Sequence, residues 1–212
     1  MSGYFGFEDV TIGGVTIKHQ QVAIVNNTYW YGDGNTSGML GLAYPLMTGL
    51  GGIVDAYDPI FTSMWKTGEI LPLFTIALSR DDEGRNVTKE ESSYLAFGGI
   101  PPVDYDDATW VRTPIEPMNV VPSWGIESDA RGLYIIQADA YVYGRENKSI
   151  TDPESTEGMT FNTTQFPILI DSGSTLTILP TGSSFHSPAP YDLPSAVSAA
   201  RYGIDQANKK LL

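Results

Sequence analysis

The chain has 212 residues, 42% of them hydrophobic and 17% charged, enough length and apolar content to bury a sizeable core. Its 25 acidic and 12 basic residues leave a net charge of -13, which argues against nucleic acid as a partner because phosphates would repel such a surface. With no cysteine, disulfides, thiol nucleophiles and thiolate metal sites are excluded, and two histidines, His19 and His186, are too few and too far apart to suggest zinc.

Abundant Gly and Pro between short Val/Ile/Tyr-rich runs predict an all-β architecture. No apolar run approaches a membrane span, and the first residues lack the basic and apolar regions of a signal peptide. In chain order, residues 4–25 read as two strands around Gly13-Gly14, a pair that permits the positive φ of a two-residue hairpin turn. A glycine-rich stretch, Gly32 to Gly38, lacks the spacing and the Lys-Ser/Thr of a phosphate loop. It leads into Gly38-Met-Leu-Gly-Leu-Ala-Tyr-Pro45.

Residues 58–70 predict a short helix, with Asp58 as its cap, Pro59 in its first turn and Gly68 at its end. Ile60, Phe61, Met64 and Trp65 fall at helical spacing and form its core-facing stripe. Strands are predicted at 71–79, 93–98, 110–115, 132–143 and 166–171, with polar surface loops at 80–92 and 144–165.

The last of these strands delivers Asp171 into Asp171-Ser172-Gly173-Ser174-Thr175, followed by Leu-Thr-Ile-Leu and Pro180. A carboxylate at the end of an apolar strand needs partners, because isolated buried charge is costly. Gly173 lets the backbone turn, while Ser172 and Ser174 offer hydroxyls that can orient the carboxylate. The bland alternative is a polar turn between two strands.

This turn resembles the catalytic Asp-Ser/Thr-Gly-Ser/Thr turn of pepsin-like aspartic peptidases. The resemblance is colinear from about residue 3 to 181. Residues 6–25 are similar to the strand pair beyond that family's flap, Gly38–Pro45 to its Gly-hydrophobic-Leu-Gly-Leu-Ala-Tyr-Pro segment, and Phe61–Gly68 to its following helix. Tyr94–Ile100 and Trp110–Pro114 resemble strands crossing between its lobes, and Tyr134–Tyr143 the first strand pair of its second lobe.

The resemblance implies an incomplete all-β pepsin-like fold. Residues 1–113 correspond to the latter part of the first lobe with the inter-lobe strands, 114–181 to the start of the second, and 182–212 to a tail without family correspondence. It implies acid proteolysis of protein or peptide substrates, no metal or organic cofactor, Asp171 as catalytic residue supported by Ser172, Gly173 and Ser174, and a substrate cleft lined by Ser174 and Thr175.

That chemistry uses two aspartates sharing a proton, one activating water and one polarising the scissile carbonyl. This sequence holds one such turn. Asp33 lacks a following Ser/Thr, and symmetric pairing of two copies around Asp171 would need an interface that is not evident. The family places the other catalytic aspartate and the flap tyrosine upstream of the first residue here, so the chain alone is expected to be inactive. A non-catalytic peptide- or partner-binding protein is the alternative.

Five sequons, at Asn26, Asn35, Asn86, Asn147 and Asn162, stand where composition predicts about one. They are candidate glycosylation sites and point, with the family, to a secreted protein.

Overall fold

A computed structural model describes residues 2–29, 38–49, 55–78, 93–104, 111–120, 129–139, 141–143, 160–162, 166–174, 201–205 and 210–211. Strands dominate it, as an all-β protein requires. The first element is a long antiparallel hairpin, β1 (Ser2–Ile12) and β2 (Val15–Asn27). Gly13 and Gly14 take φ of 59° and 87°, and Ile12 faces Val15 across the turn, as the Gly-Gly pair predicted. A bulge between Glu8 and Val10 leaves Asp9 without an opposite residue. Its carboxylate accepts the backbone N–H of His19 at 2.9 Å, where His19 adopts a φ of 57°.

A single helical turn, α1 (Leu46–Gly49), precedes α2 (Ile60–Lys66). Two turns are too short to be stable alone, so α2 depends on what it buries. Ile60 and Met64 close over Ile17 of the hairpin, while Phe61 enters the main core. Asp58 does not cap this helix. Pro59 occupies the cap position, and the Asp58 carboxylate instead takes both bonds from the Lys66 ammonium, at 2.7 and 2.8 Å. Both partners are partly exposed, so the pair contributes under about 1 kcal/mol. The Asp58 carbonyl meanwhile accepts from Gln20 Nε2 at 2.9 Å, tying helix to hairpin.

Gly68 ends α2 as predicted. At φ 82° it donates to the Trp65 carbonyl, and Glu69 donates to that of Met64. An added Cβ at Gly68 would meet nothing within 4 Å, so Gly68→Ala isolates the backbone cost, an expected loss of about 1–2 kcal/mol in urea unfolding. Gly98, at φ 74°, also has Ile70 Cβ 2.9 Å from its would-be methyl. The Gly98→Ala loss is expected to exceed that of Gly68→Ala.

The central sheet has five antiparallel strands in the order β4-β3-β10-β11-β5. They are β3 (Leu73–Ala77), β4 (Tyr94–Phe97), β5 (Thr113–Pro114), β10 (Arg201–Asp205) and β11 (Lys210–Leu211). β3 is buried from Phe74 to Ala77. The middle of the sheet comes from residues that carried no family correspondence: Arg201↔Ala77 to Asp205↔Leu73 on one side, Lys210↔Pro114 and Leu211↔Thr113 on the other.

Two further ladders complete the described fold. β6 (Ile135–Ala138) pairs with β9 (Phe166–Leu169), and β7 (Tyr141–Tyr143) pairs with β8 (Thr160–Asn162). The predicted strand at 132–143 is thus split in two, and the end of the predicted loop at 144–165 is a strand. Residues 38–44 carry no ladder among the described residues. The segment is held by the Tyr44 N–H on the Gly132 carbonyl at 3.0 Å and by the Tyr134 hydroxyl on the Leu42 carbonyl.

The main core joins these pieces. Tyr44, Phe61, Phe74, Ile76, Ile115 and Tyr134 form one buried cluster, with Ile170 packed at its edge. Phe61 and Phe74 meet edge to face at 4.9 Å, and Phe74 and Tyr134 at 5.6 Å. The strand preceding Asp171 is thereby anchored to the same core as the 38–45 segment.

Candidate active site

Asp171 lies just beyond the end of β9. Pairing of Ile135↔Leu169 and Ile136↔Ile168 fixes that strand, and the Ile170 N–H donates to the Tyr134 carbonyl at 2.9 Å. The chain then turns, and the turn closes on its own first side chain. Gly173 N–H donates to Asp171 Oδ1 at 2.9 Å, and Ser174 Oγ donates to Asp171 Oδ2 at 2.8 Å. Each carboxylate oxygen has one local donor, which fixes the plane of the group.

The Gly173 contact explains the residue type. A Cβ there would sit 3.2 Å from Asp171 Oδ1, crowding the oxygen that its N–H holds. Of the hydroxyls named from the sequence, Ser174 bonds the carboxylate. Ser172 makes no hydrogen bond to it and instead lines the adjoining cavity. Thr175, expected beside the cleft, lies outside the described residues.

Asp171 differs from the sequence expectation in its surroundings. Residues 171–174 are exposed, where a carboxylate ending an apolar strand suggested burial: among the described residues β9 pairs with β6 alone and no second layer covers the turn, and the apolar run at 176–179 lies outside them. The turn forms the rim of a cavity of about 450 Å³. Gly38 to Ala43 line the same cavity, with Phe74, Ile76 and Tyr134 among the other lining residues. The two segments with the most specific family likeness, 130 residues apart in sequence (171 minus 41), thus face one space.

The bridge between them is Tyr134, which sequence reasoning did not single out. It packs on Tyr44 at 5.2 Å, its hydroxyl holds the Leu42 carbonyl, and its own carbonyl holds Ile170. An aromatic at the start of a predicted strand gives no local sign of such a role. Among the described residues no cluster of His, Cys, Asp or Glu could hold a metal ion.

The glycosylation candidates divide. Asn26 is exposed near the end of β2, and Asn162 falls on β8. Asn35, Asn86 and Asn147 lie outside the described residues. No helix among the described residues is long and apolar enough to cross a membrane.

Comparison with known proteins bears on the family. The family model described as eukaryotic aspartyl protease matches residues 1–187. A probable aspartic-type endopeptidase of Aspergillus fumigatus is 32% identical over 202 residues, covering 91% of this chain and 41% of that protein. Barrierpepsin of Saccharomyces cerevisiae is 26% identical over 179 residues, 82% of this chain and 26% of its own length. Cathepsin E of Aquarana catesbeiana is 28% identical over 134 residues, 61% of this chain and 30% of its own. The chain therefore spans well under half the length of these relatives. No solved structure matches it significantly. On a family match covering most of its length, joined to a fungal relative aligned across nearly all of it, this chain belongs to the eukaryotic aspartyl protease family.

Proposed function

We propose that Asp171 is one carboxylate of the catalytic pair of a secreted aspartic endopeptidase acting on protein substrates. The observation that carries this reading is the closed turn: both carboxylate oxygens are held by Gly173 and Ser174, at the rim of a cavity shared with Gly38–Ala43. A turn of purely structural use has no need to present an oriented, exposed carboxylate toward a concave surface. Residues 1–113 then form the latter part of one lobe and residues 114–181 the start of the other, with the cleft between 38–43 and 171–173. The sequon density supports the secretory route.

The roles follow from acid–base chemistry. Peptide hydrolysis needs a base to take a proton from water and an acid to hydrogen-bond the scissile carbonyl, and one carboxylate cannot do both in the same step. Gly173 and Ser174 orient Asp171 without consuming its outward lone pairs, leaving it free to meet a water and a second carboxylate. The 212 residues contain a single Asp-Ser/Thr-Gly turn.

Residues 1–212 alone are therefore inactive in this reading. Purified chain, incubated with denatured haemoglobin at acid pH with and without pepstatin, is expected to show no inhibitor-sensitive cleavage. Pepstatin-sensitive turnover that disappears in Asp171→Asn would contradict the inactivity and point to symmetric pairing of two chains. Retained binding of immobilised pepstatin or substrate peptide without cleavage would favour a binding role.

A further inference from the structure

The sequon at Asn26 gains a meaning from the structure that the sequence alone does not give. In the β1–β2 ladder Ser2 pairs with Asn27, but the next residue, Gly3, pairs with Val25. Asn26 is skipped: it sits on a bulge with no residue opposite it. The bulge closes because residue 3 has no side chain, since a Cβ there would lie 2.2 Å from the Ile24 carbonyl oxygen. A bulge also re-aims side chains and frees the local backbone, so Asn26 is presented outward where a regular strand would lock it into the ladder. Thr28, the third residue of the sequon, is exposed just past the end of β2.

The surroundings of Asn26 are unusual for a protein surface. At this open end of the hairpin Tyr4 and Ile24 are exposed on one face, and Val25 and Phe5 on the other, where Phe5 also meets the Tyr57 ring edge to face; Tyr29, just past β2, is 82% exposed. Large apolar side chains left exposed on both faces of a two-stranded ribbon invite association with other chains. A glycan suits this patch: its sugar rings lay C–H faces on aromatic and aliphatic side chains while their hydroxyls keep water.

We propose that Asn26 is an N-glycan acceptor and that its glycan covers the apolar open end of the hairpin. The proposal rests on the secretory route argued above. In the transfer, Asn26 Nδ2 attacks the anomeric carbon of a lipid-linked oligosaccharide pyrophosphate. The new C–N bond forms as the C–O bond to pyrophosphate breaks, Nδ2 loses one proton, and the lipid pyrophosphate leaves with the bonding electron pair.

The test uses the full chain behind a cleavable secretion leader in a yeast host, so that it does not depend on the native route. No Lys or Arg separates Asn26 from Asn35, so fragment ions must assign any PNGase F-generated aspartate to its position. Asn26 is expected to be converted, Thr28→Ser to keep the modification, and Thr28→Ala to lose it. Thr28→Ala is also expected to raise ANS binding and soluble oligomer, as is wild-type chain trimmed with PNGase F under native conditions. Asn26 unmodified in the secreted chain overturns the acceptor site. Occupied Asn26 whose removal leaves ANS binding unchanged overturns the covering role. Absence of any glycan on protein taken from its own cells would count against the secretory reading alone.

Discussion

Phe61→Ala is expected to cost about 3–5 kcal/mol of stability, the range for deleting a fully buried aromatic ring. Phe61 has no exposed surface, and it joins three elements: α2, which carries it, β3 through Phe74 at 4.9 Å, and β4 through Phe97 at 5.6 Å. Truncation removes the transfer free energy of the ring, leaves a void that these rigid neighbours cannot fill, and breaks two aromatic contacts. A helix of two turns has little stability of its own, so losing its anchor should release α2 from the sheet.

With typical domain stabilities of about 5–15 kcal/mol, such a loss leaves a substantial unfolded population at room temperature in a marginal chain. Urea unfolding followed by circular dichroism measures it directly. Leu95→Ala on the same sheet, 43% exposed, serves as the comparison and should fall within about 1 kcal/mol of wild type. Equal losses at the two positions would mean that the ring does not occupy the core described.

How far this fold could be read from sequence depends on the range of the interactions. The β1–β2 hairpin was legible because its signal is local: Gly13-Gly14 can adopt positive φ, and alternating residues flank it. The same holds for α2, where apolar spacing and Gly68 mark the stripe and the stop. Its cap failed for a tertiary reason. Asp58 is drawn to Lys66 while its carbonyl serves Gln20, and neither competitor shows in a propensity.

The pairing of β10 and β11 with β3 and β5 was not legible. Strands of five and two residues have almost no period to detect, and their partners lie more than ninety positions away (201 minus 77, and 210 minus 114). At the site, the Asp171–Ser174 turn and the Ser174 hydroxyl bond could be read, whereas the Gly173 N–H bond and the lack of one from Ser172 emerge from the fold. The exposure of the turn and the cavity it shares with Gly38–Ala43 could not. Both follow from the Tyr134 linkage and from sheet order, which only the assembled chain defines.

The central claim is that Asp171 is catalytic, and transplanting its turn tests it most directly. The Aspergillus fumigatus relative is much longer than this chain, which covers 41% of it. Its segment aligned with residues 166–174 can be replaced by Phe166–Ser174 of this sequence, and the chimera assayed on denatured haemoglobin at acid pH. The account predicts pepstatin-sensitive cleavage by the chimera. It also predicts a loss of about a hundred- to ten-thousand-fold when the transplanted Asp171 is changed to Asn, the usual cost of removing an acid–base group. Ser174→Ala in the same chimera should cost less, about tenfold, because Gly173 N–H still holds the other oxygen. A folded chimera whose Asp171→Asn form cleaves as fast as its parent would contradict the account.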